Sequence, residues 1–160
     1  MVTHSVGLGE IKFSRNPEDL IVAHGLGSCI GVAIYDTKLK LGGMAHIVLP
    51  DSSIQRENTF PERFADTGIP ILLSKFQLLG GKVTTSFIKI AGGANMFKSG
   101  NISSLDIGGR NNKAVLASLL KFGITPTSAD VGGTNGRTFT LYIVEGKVTS
   151  RMIGMKEKEI

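Results

Sequence analysis

The sequence predicts an α+β layered domain, on three observations. Short β-type runs occur in succession, two stretches of helical period lie between them, and many of the glycines sit in short clusters that suggest tight turns. At 160 residues the chain has the length of one domain, residues 1–160, and can bury a core without disulfide staples. Hydrophobic residues make up 41% and charged residues 19%, the balance of an ordinary soluble globular protein.

Taken in order, Glu10–Ser14 and Leu20–Val22 are short strand candidates. Cys29–Tyr35 and Gly43–Leu49 are stronger ones, flanking a turn region at Asp36-Thr37-Lys38. A helix is expected over Pro61–Leu79. Its Phe64, Ile69, Leu72, Leu73 and Phe76 recur near helical spacing, Gly80-Gly81 stops it, and Pro70 is a candidate break. Val83–Ile90 alternates as a strand and ends at Ala91-Gly92-Gly93-Ala94. Asn111–Phe122 reads as a second amphipathic helix, with Asp106 as a cap or near-cap and Gly123 closing it. Thr138–Val144 and Lys147–Ile153 form a hairpin around Glu145-Gly146.

Several function classes are disfavoured. One cysteine permits no internal disulfide and no multi-cysteine zinc site, and it suits a reducing cytoplasm. Met1–Arg15 lacks the basic start and apolar run of a signal peptide. No apolar stretch approaches the roughly 20 residues that span a bilayer, so no membrane insertion is expected. The net charge of +5 fits either a partner with an acidic surface or scattered solubilising lysines, since Lys38, Lys40, Lys156 and Lys158 form no dense stripe. Nucleic-acid binding would want such a stripe with aromatics.

The chemistry-bearing stretch is Gly25-Leu-Gly-Ser-Cys-Ile-Gly-Val-Ala-Ile-Tyr-Asp36, continued by Met44-Ala-His-Ile-Val-Leu-Pro50. With a two-residue turn at Thr37-Lys38, Asp36 faces Leu39, Val32 faces Gly43 and Cys29 faces His46. Opposed side chains share a sheet face with Cβ atoms about 4.5–5.5 Å apart. A slip of two residues leaves the pair diagonal, whereas a slip of one sends them to opposite faces. A thiol with pKa near about 8.5 is a poor nucleophile until a base takes its proton, and a neighbouring imidazole does this and later protonates a leaving amine. Gly25 and Gly27 permit a sharp backbone approach, so that N–H groups at Ser28 and Cys29 face a substrate oxygen. The same residues also read as a small buried thiol and a hydrogen-bonded structural imidazole. Gly92-Gly93, Gly108-Gly109 and Gly132-Gly133 read as turns or caps. The last of these either presents Asn135 or Arg137 to a partner or shapes a loop.

Six segments in this order resemble the CheD family of chemoreceptor glutamine deamidases. They are Gly7–Glu10, Leu26–Cys29, Ala45-His46 with Leu49–Asp51, Ile90–Phe97, Ile107–Asn111 and Asp130–Arg137. The resemblance implies a fold of packed, mainly antiparallel sheets with helices outside, like that of bacterial toxin deamidases. It implies hydrolysis of receptor glutamine side chains to glutamate through a thioester, with Cys29 as nucleophile and His46 as general base and acid. A glutamate methylesterase side activity would use the same chemistry. No metal or organic cofactor is implied. The implied partners are chemoreceptor cytoplasmic domains and a CheC-type phosphatase, and the implied location is cytoplasmic. Gly27 and Ser28 would support the site. The family's usual third residue, a threonine six places before the nucleophile, is Ala23 here and is followed by His24. His46 then needs another orienting group, a backbone carbonyl or His24. That departure leaves a second reading open, a catalytically weak binding module that regulates a phosphatase or receptor by occupancy. A general thiol protease is a third.

Overall fold

A computed structural model describes residues 1–54, 60–96 and 106–160. In chain order its strands are β1 (Thr3–Ser5), β2 (Ile11–Ser14), β3 (Leu20–Leu26), β4 (Ile30–Asp36), β5 (Leu41–Ile47), β6 (Ser86–Gly92), β7 (Ser128–Val131), β8 (Arg137–Tyr142), β9 (Lys147–Met152) and β10 (Lys158–Glu159). Its α-helices are α1 (Ala65–Leu78) and α2 (Ile107–Leu120).

The strands form two sheets. One has the order β1-β3-β8-β9-β10, the other β2-β5-β4-β6-β7. Pairing is antiparallel except at β1–β3 and β6–β7. The second sheet is the middle layer, and its residues divide by parity. Ile30, Val32, Ile34, Ala45 and Ile47 pack with Ile69, Leu72, Phe76, Val115 and Leu119 of the helices. Ala33, Tyr35, Met44 and Ala91 pack with Ile21, Ala23, Phe139 and Leu141 of the first sheet. The α+β expectation of packed, mainly antiparallel sheets with helices outside therefore holds. Glycines on the inner face of the middle sheet make room for this packing. A Cβ on Gly31 would lie 2.6 Å from the Phe139 ring, and one on Gly42 would lie 2.5 Å from Ile143.

Two expectations are corrected. Pro70 does not break α1; the helix runs through it, and only Pro61–Arg63 is a separate 3-10 turn. An interior proline costs about 3 kcal/mol. Burial of Ile69, Leu72, Leu73 and Phe76, at about 1.5–3 kcal/mol each, outweighs it. The β4–β5 connection is also longer than a two-residue turn: Asp36 faces Leu41, leaving Thr37–Lys40 as the loop. The Asp36 carboxylate accounts for this. Its Oδ1 accepts the N–H groups of Lys38 and Leu39 at 2.9 and 3.0 Å, so Leu39 is tied to a turn rather than a ladder. Its Oδ2 accepts Lys82 N–H and the Thr85 hydroxyl, both at 2.9 Å.

Elsewhere the elements shift by a few residues. α2 begins at Ile107 rather than Asn111, with Asp106 as its cap accepting Gly109 N–H at 2.9 Å. Val83–Thr85 is a 3-10 turn preceding β6. β1 and β10 are too short to leave a periodic signal, and the Ser-Ala-Asp-Val of β7 has too few large apolar residues to show one. Among the described residues no helix is long and apolar enough to cross a membrane.

Candidate active site

β3 ends at Leu26, and the chain bends through Gly27, Ser28 and Cys29 before β4 starts at Ile30. Backbone approach holds this bend. Gly93 N–H donates to the Cys29 carbonyl at 2.9 Å, and Ala94 N–H to that of Gly27 at 2.8 Å. Gly92, at φ 114°, passes so close that a Cβ would sit 2.1 Å from the Cys29 carbonyl oxygen. Only glycine fits such a conformation and distance. Cys29 is half-buried and packs against the core between the sheets.

His46 lies on β5 opposite Gly31 of β4. The register differs by two residues from direct Cys29–His46 opposition, and Cys29 lies on the bend just before the ladder begins, two residues from the partner of His46. In a regular ladder, diagonal neighbours on one face are about 7–8 Å apart, their Cβ atoms somewhat closer. Both residues belong to the inter-sheet side: His46 alternates with Met44, Cys29 packs against the same core, and the space over Gly31 is taken by Phe139 and Leu26.

His46 is 3% exposed. Its Nδ1 lies 2.9 Å from the Val6 carbonyl oxygen, which can only accept, so Nδ1 carries the proton. Nε2 is left as the basic lone pair, buried and without a hydrogen-bond partner, the Cys29 thiol included, among the described residues. The orienting group is thus a backbone carbonyl and not His24. His24 is exposed and lines the outer face of the first sheet with Val22, Thr138 and Thr140. Ala23 points the opposite way into the inter-sheet core. Burial pulls the His46 imidazole below its ordinary pKa, opposed by the Val6 carbonyl and the Glu10 carboxylate. Burial pushes the Cys29 thiol above its ordinary value. Both directions favour a neutral thiol beside a neutral imidazole at rest.

Asn111, fully buried on α2, joins the two halves. Its Nδ2 donates to the carbonyls of Ser28 and Val48, each at 2.9 Å. One side chain therefore ties the residue before Cys29 to the segment two residues beyond His46. From the sequence, Asn111 was legible only as a helix residue at the end of Ile107–Asn111. In the Asp130–Arg137 segment Arg137 shapes the loop, while Asn135 is exposed. Arg137 is buried and donates to the carbonyls of Asp130, Gly132 and Asn135, with Nη1 3.2 Å from the Asp130 carboxylate. That loop supports the bend indirectly, because Asn95 N–H donates to the Gly133 carbonyl at 2.8 Å. Met96 lies against Gly27, whereas Phe97, the last residue of the Ile90–Phe97 segment, is outside the described residues.

A hollow of about 230 Å³ beside Ser28 is lined by Ala94, Asn95, Met96, Ile107 and Gly108. A larger one, about 620 Å³, lies between Pro50-Asp51 and the Arg110–Lys121 face of α2 and includes neither Cys29 nor His46. No cluster of three metal-ligating side chains occurs among the described residues.

The family described as CheD chemotactic sensory transduction matches residues 48–152. Full-length similarity extends over the bend and β5 as well. A probable chemoreceptor glutamine deamidase CheD of Symbiobacterium thermophilum is 41% identical over 158 residues, covering 98% of this chain and 96% of its own. Proteins of the same description from Clostridium acetobutylicum and Clostridium botulinum are 42% and 43% identical over 156 residues. Each alignment covers 97% of this chain, and 93% and 96% of theirs respectively. With the family matched over most of the chain and relatives above 40% identity along nearly all of it, this chain belongs to the CheD family.

Proposed function

We propose that this protein hydrolyses glutamine side chains of bacterial chemoreceptors to glutamate and ammonia, with Cys29 as nucleophile and His46 as general base and acid. The observation that carries this reading is the state of His46. Its Nδ1 is committed to the Val6 carbonyl, and its Nε2 is a buried base, without a partner among the described residues, on the same sheet face as the only cysteine. A buried polar atom without a partner destabilises the fold by about 1–3 kcal/mol, which a role in proton transfer would explain. The names of the relatives supply the substrate class.

Because thiol and imidazole are neutral at rest, the proton moves as the bond forms. Sγ attacks the amide carbon while its proton passes to Nε2. The oxyanion faces the N–H groups of Ser28 and Cys29. The tetrahedral intermediate collapses, the C–N bond breaks, and ammonia leaves with the Nε2 proton, leaving a Cys29 thioester. Water then gives a proton to Nε2 as its oxygen attacks. Collapse releases glutamate and returns the proton to sulfur. A glutamate methyl ester would enter the same cycle with methanol as leaving group. A CheC-type phosphatase is proposed as a second partner, and the cytoplasm as the location.

Mass spectrometry of a receptor cytoplasmic fragment tests the proposal. The wild-type protein should raise particular glutamines by about one mass unit with release of ammonia, and Cys29→Ala should abolish this, since no other thiol exists. Full activity in Cys29→Ala would end the assignment. The raised thiol pKa and the methyl at Ala23 favour the competing reading of a binding module. That reading predicts receptor or phosphatase binding with no mass change. Turnover of unfolded casein would instead indicate a thiol protease.

A further inference from the structure

We infer that Glu10 is a positioning residue for His46: its carboxylate closes the turn that presents the Val6 carbonyl to Nδ1, and it sets a negative charge beside the ring. This rests on His46 being the base, and it extends that reading to the residue that holds and polarises it.

The geometry is a short loop zipped onto one histidine. Glu10 N–H donates to the Gly7 carbonyl at 2.9 Å, and Gly9, at the third position, has φ 70°. That combination is a type II turn, which requires glycine there. The Glu10 side chain folds back, and its Oε1 accepts Gly7 N–H at 2.7 Å. Gly7 leaves room for this, since a Cβ there would lie 2.5 Å from Oε1. The closed turn grips His46 through the backbone on both sides: Gly9 N–H donates to the His46 carbonyl at 3.0 Å, and His46 N–H to the Glu10 carbonyl at 3.1 Å. Val6, at the entrance, is anchored by its own N–H on the Val22 carbonyl at 2.8 Å and points its carbonyl at Nδ1. The carboxylate thus completes a device whose one side-chain target is the imidazole.

The charge has a separate consequence. Among the described residues, the ionisable groups on the elements around His46 are Cys29 on the bend, Glu10 and Lys12 on the preceding loop and β2, and Arg63, which packs on Gly9. Lys12 lies 3.7 Å from the Glu10 carboxylate but spends its ammonium on the Ser5 carbonyl at 2.6 Å. Glu10 is the charge that raises the affinity of His46 for a proton, opposing burial. An imidazolium forms when Cys29 attacks, and an anion nearby stabilises it then and not before.

Two variants separate the roles. Glu10→Gln keeps an acceptor for Gly7 N–H and removes the charge; Glu10→Ala removes both. NMR titration of the three histidine rings reads His46 directly, without substrate. In Glu10→Gln the Nδ1–H tautomer should persist while the His46 titration moves to lower pH. With receptor fragment, the acid limb of kcat/KM should move with it, and kcat should fall at unchanged KM. In Glu10→Ala the tautomer preference should also be lost and kcat should fall by about tenfold or more. An unchanged His46 titration in Glu10→Gln, or an unchanged tautomer in Glu10→Ala, would overturn the inference. Either ring result stands even if no receptor glutamine is hydrolysed, so failure of the inference and failure of the proposed activity are told apart.

Discussion

Replacing Asn111 with alanine should both destabilise the protein and slow its chemistry, and the two effects have one origin. The side chain is fully buried, and its amide nitrogen serves two carbonyls, Ser28 and Val48, each at 2.9 Å. A typical hydrogen bond contributes about 0.5–1.5 kcal/mol net, but a buried acceptor left without its donor costs about 1–3 kcal/mol. Two orphaned carbonyls, partly relieved by relaxation or an entering water, give a loss of about 2–5 kcal/mol. For a chain of this size each kcal/mol moves Tm by about 2–4 °C, so the variant should melt roughly 4–20 °C lower. Loss of the tie also frees the bend carrying Cys29 from the segment beyond His46. A displacement of about 1 Å in a reacting pair is worth up to about a hundredfold in rate. Calorimetry and ammonia release from a receptor fragment measure the two effects. Asn111→Asp is the control for the donor. At neutral pH it sets a carboxylate against two carbonyl oxygens and should be less stable than alanine. It should recover as pH falls, because the folded state then binds a proton that can donate. A melting temperature within 1 °C of wild type together with unchanged turnover in Asn111→Ala would refute the claim that this amide holds the site together.

Two further outcomes follow from the same geometry. Gly92→Ala would force a Cβ to within 2.1 Å of the Cys29 carbonyl at φ 114°, so the bend must move. Loss of several kcal/mol, read as a lower Tm, and loss of turnover should appear together, whereas an alanine variant that keeps both would show that the contact relaxes without consequence. As for pH, with His46 as the proposed base, which acts in its neutral form, kcat/KM should rise with pH through the lowered His46 pKa and its acid limb should lie below the ordinary histidine range. Iodoacetamide labelling of Cys29 should accelerate through an inflection above the ordinary thiol value, and full labelling at acidic pH would contradict the neutral resting pair.

The shared face of Cys29 and His46 was legible in the sequence because strand periodicity is two. Direct opposition and the observed register differ by two residues, and a shift of two leaves every side chain on its own face. The layered α+β architecture was legible for the same kind of reason. Ile30, Val32 and Ile34 alternate with Gly31, Ala33 and Tyr35, and the helices repeat Ile69, Leu72, Leu73 and Phe76 at their own period. What pattern alone did not settle was which contacts close between distant segments. The β4–β5 loop length depends on the Asp36 carboxylate binding Lys82 and Thr85, residues nearly fifty positions away. The orientation of His46 depends on a carbonyl at Val6, forty residues earlier, and a carbonyl has no residue type by which a sequence could announce it. Asn111 joins Ser28 to Val48 only after α2 has docked on the middle sheet. Periodicity reports which face a residue takes, because local backbone geometry decides that. Hydrogen bonds between segments far apart in the chain form only when the layers pack, and there the tertiary structure decided.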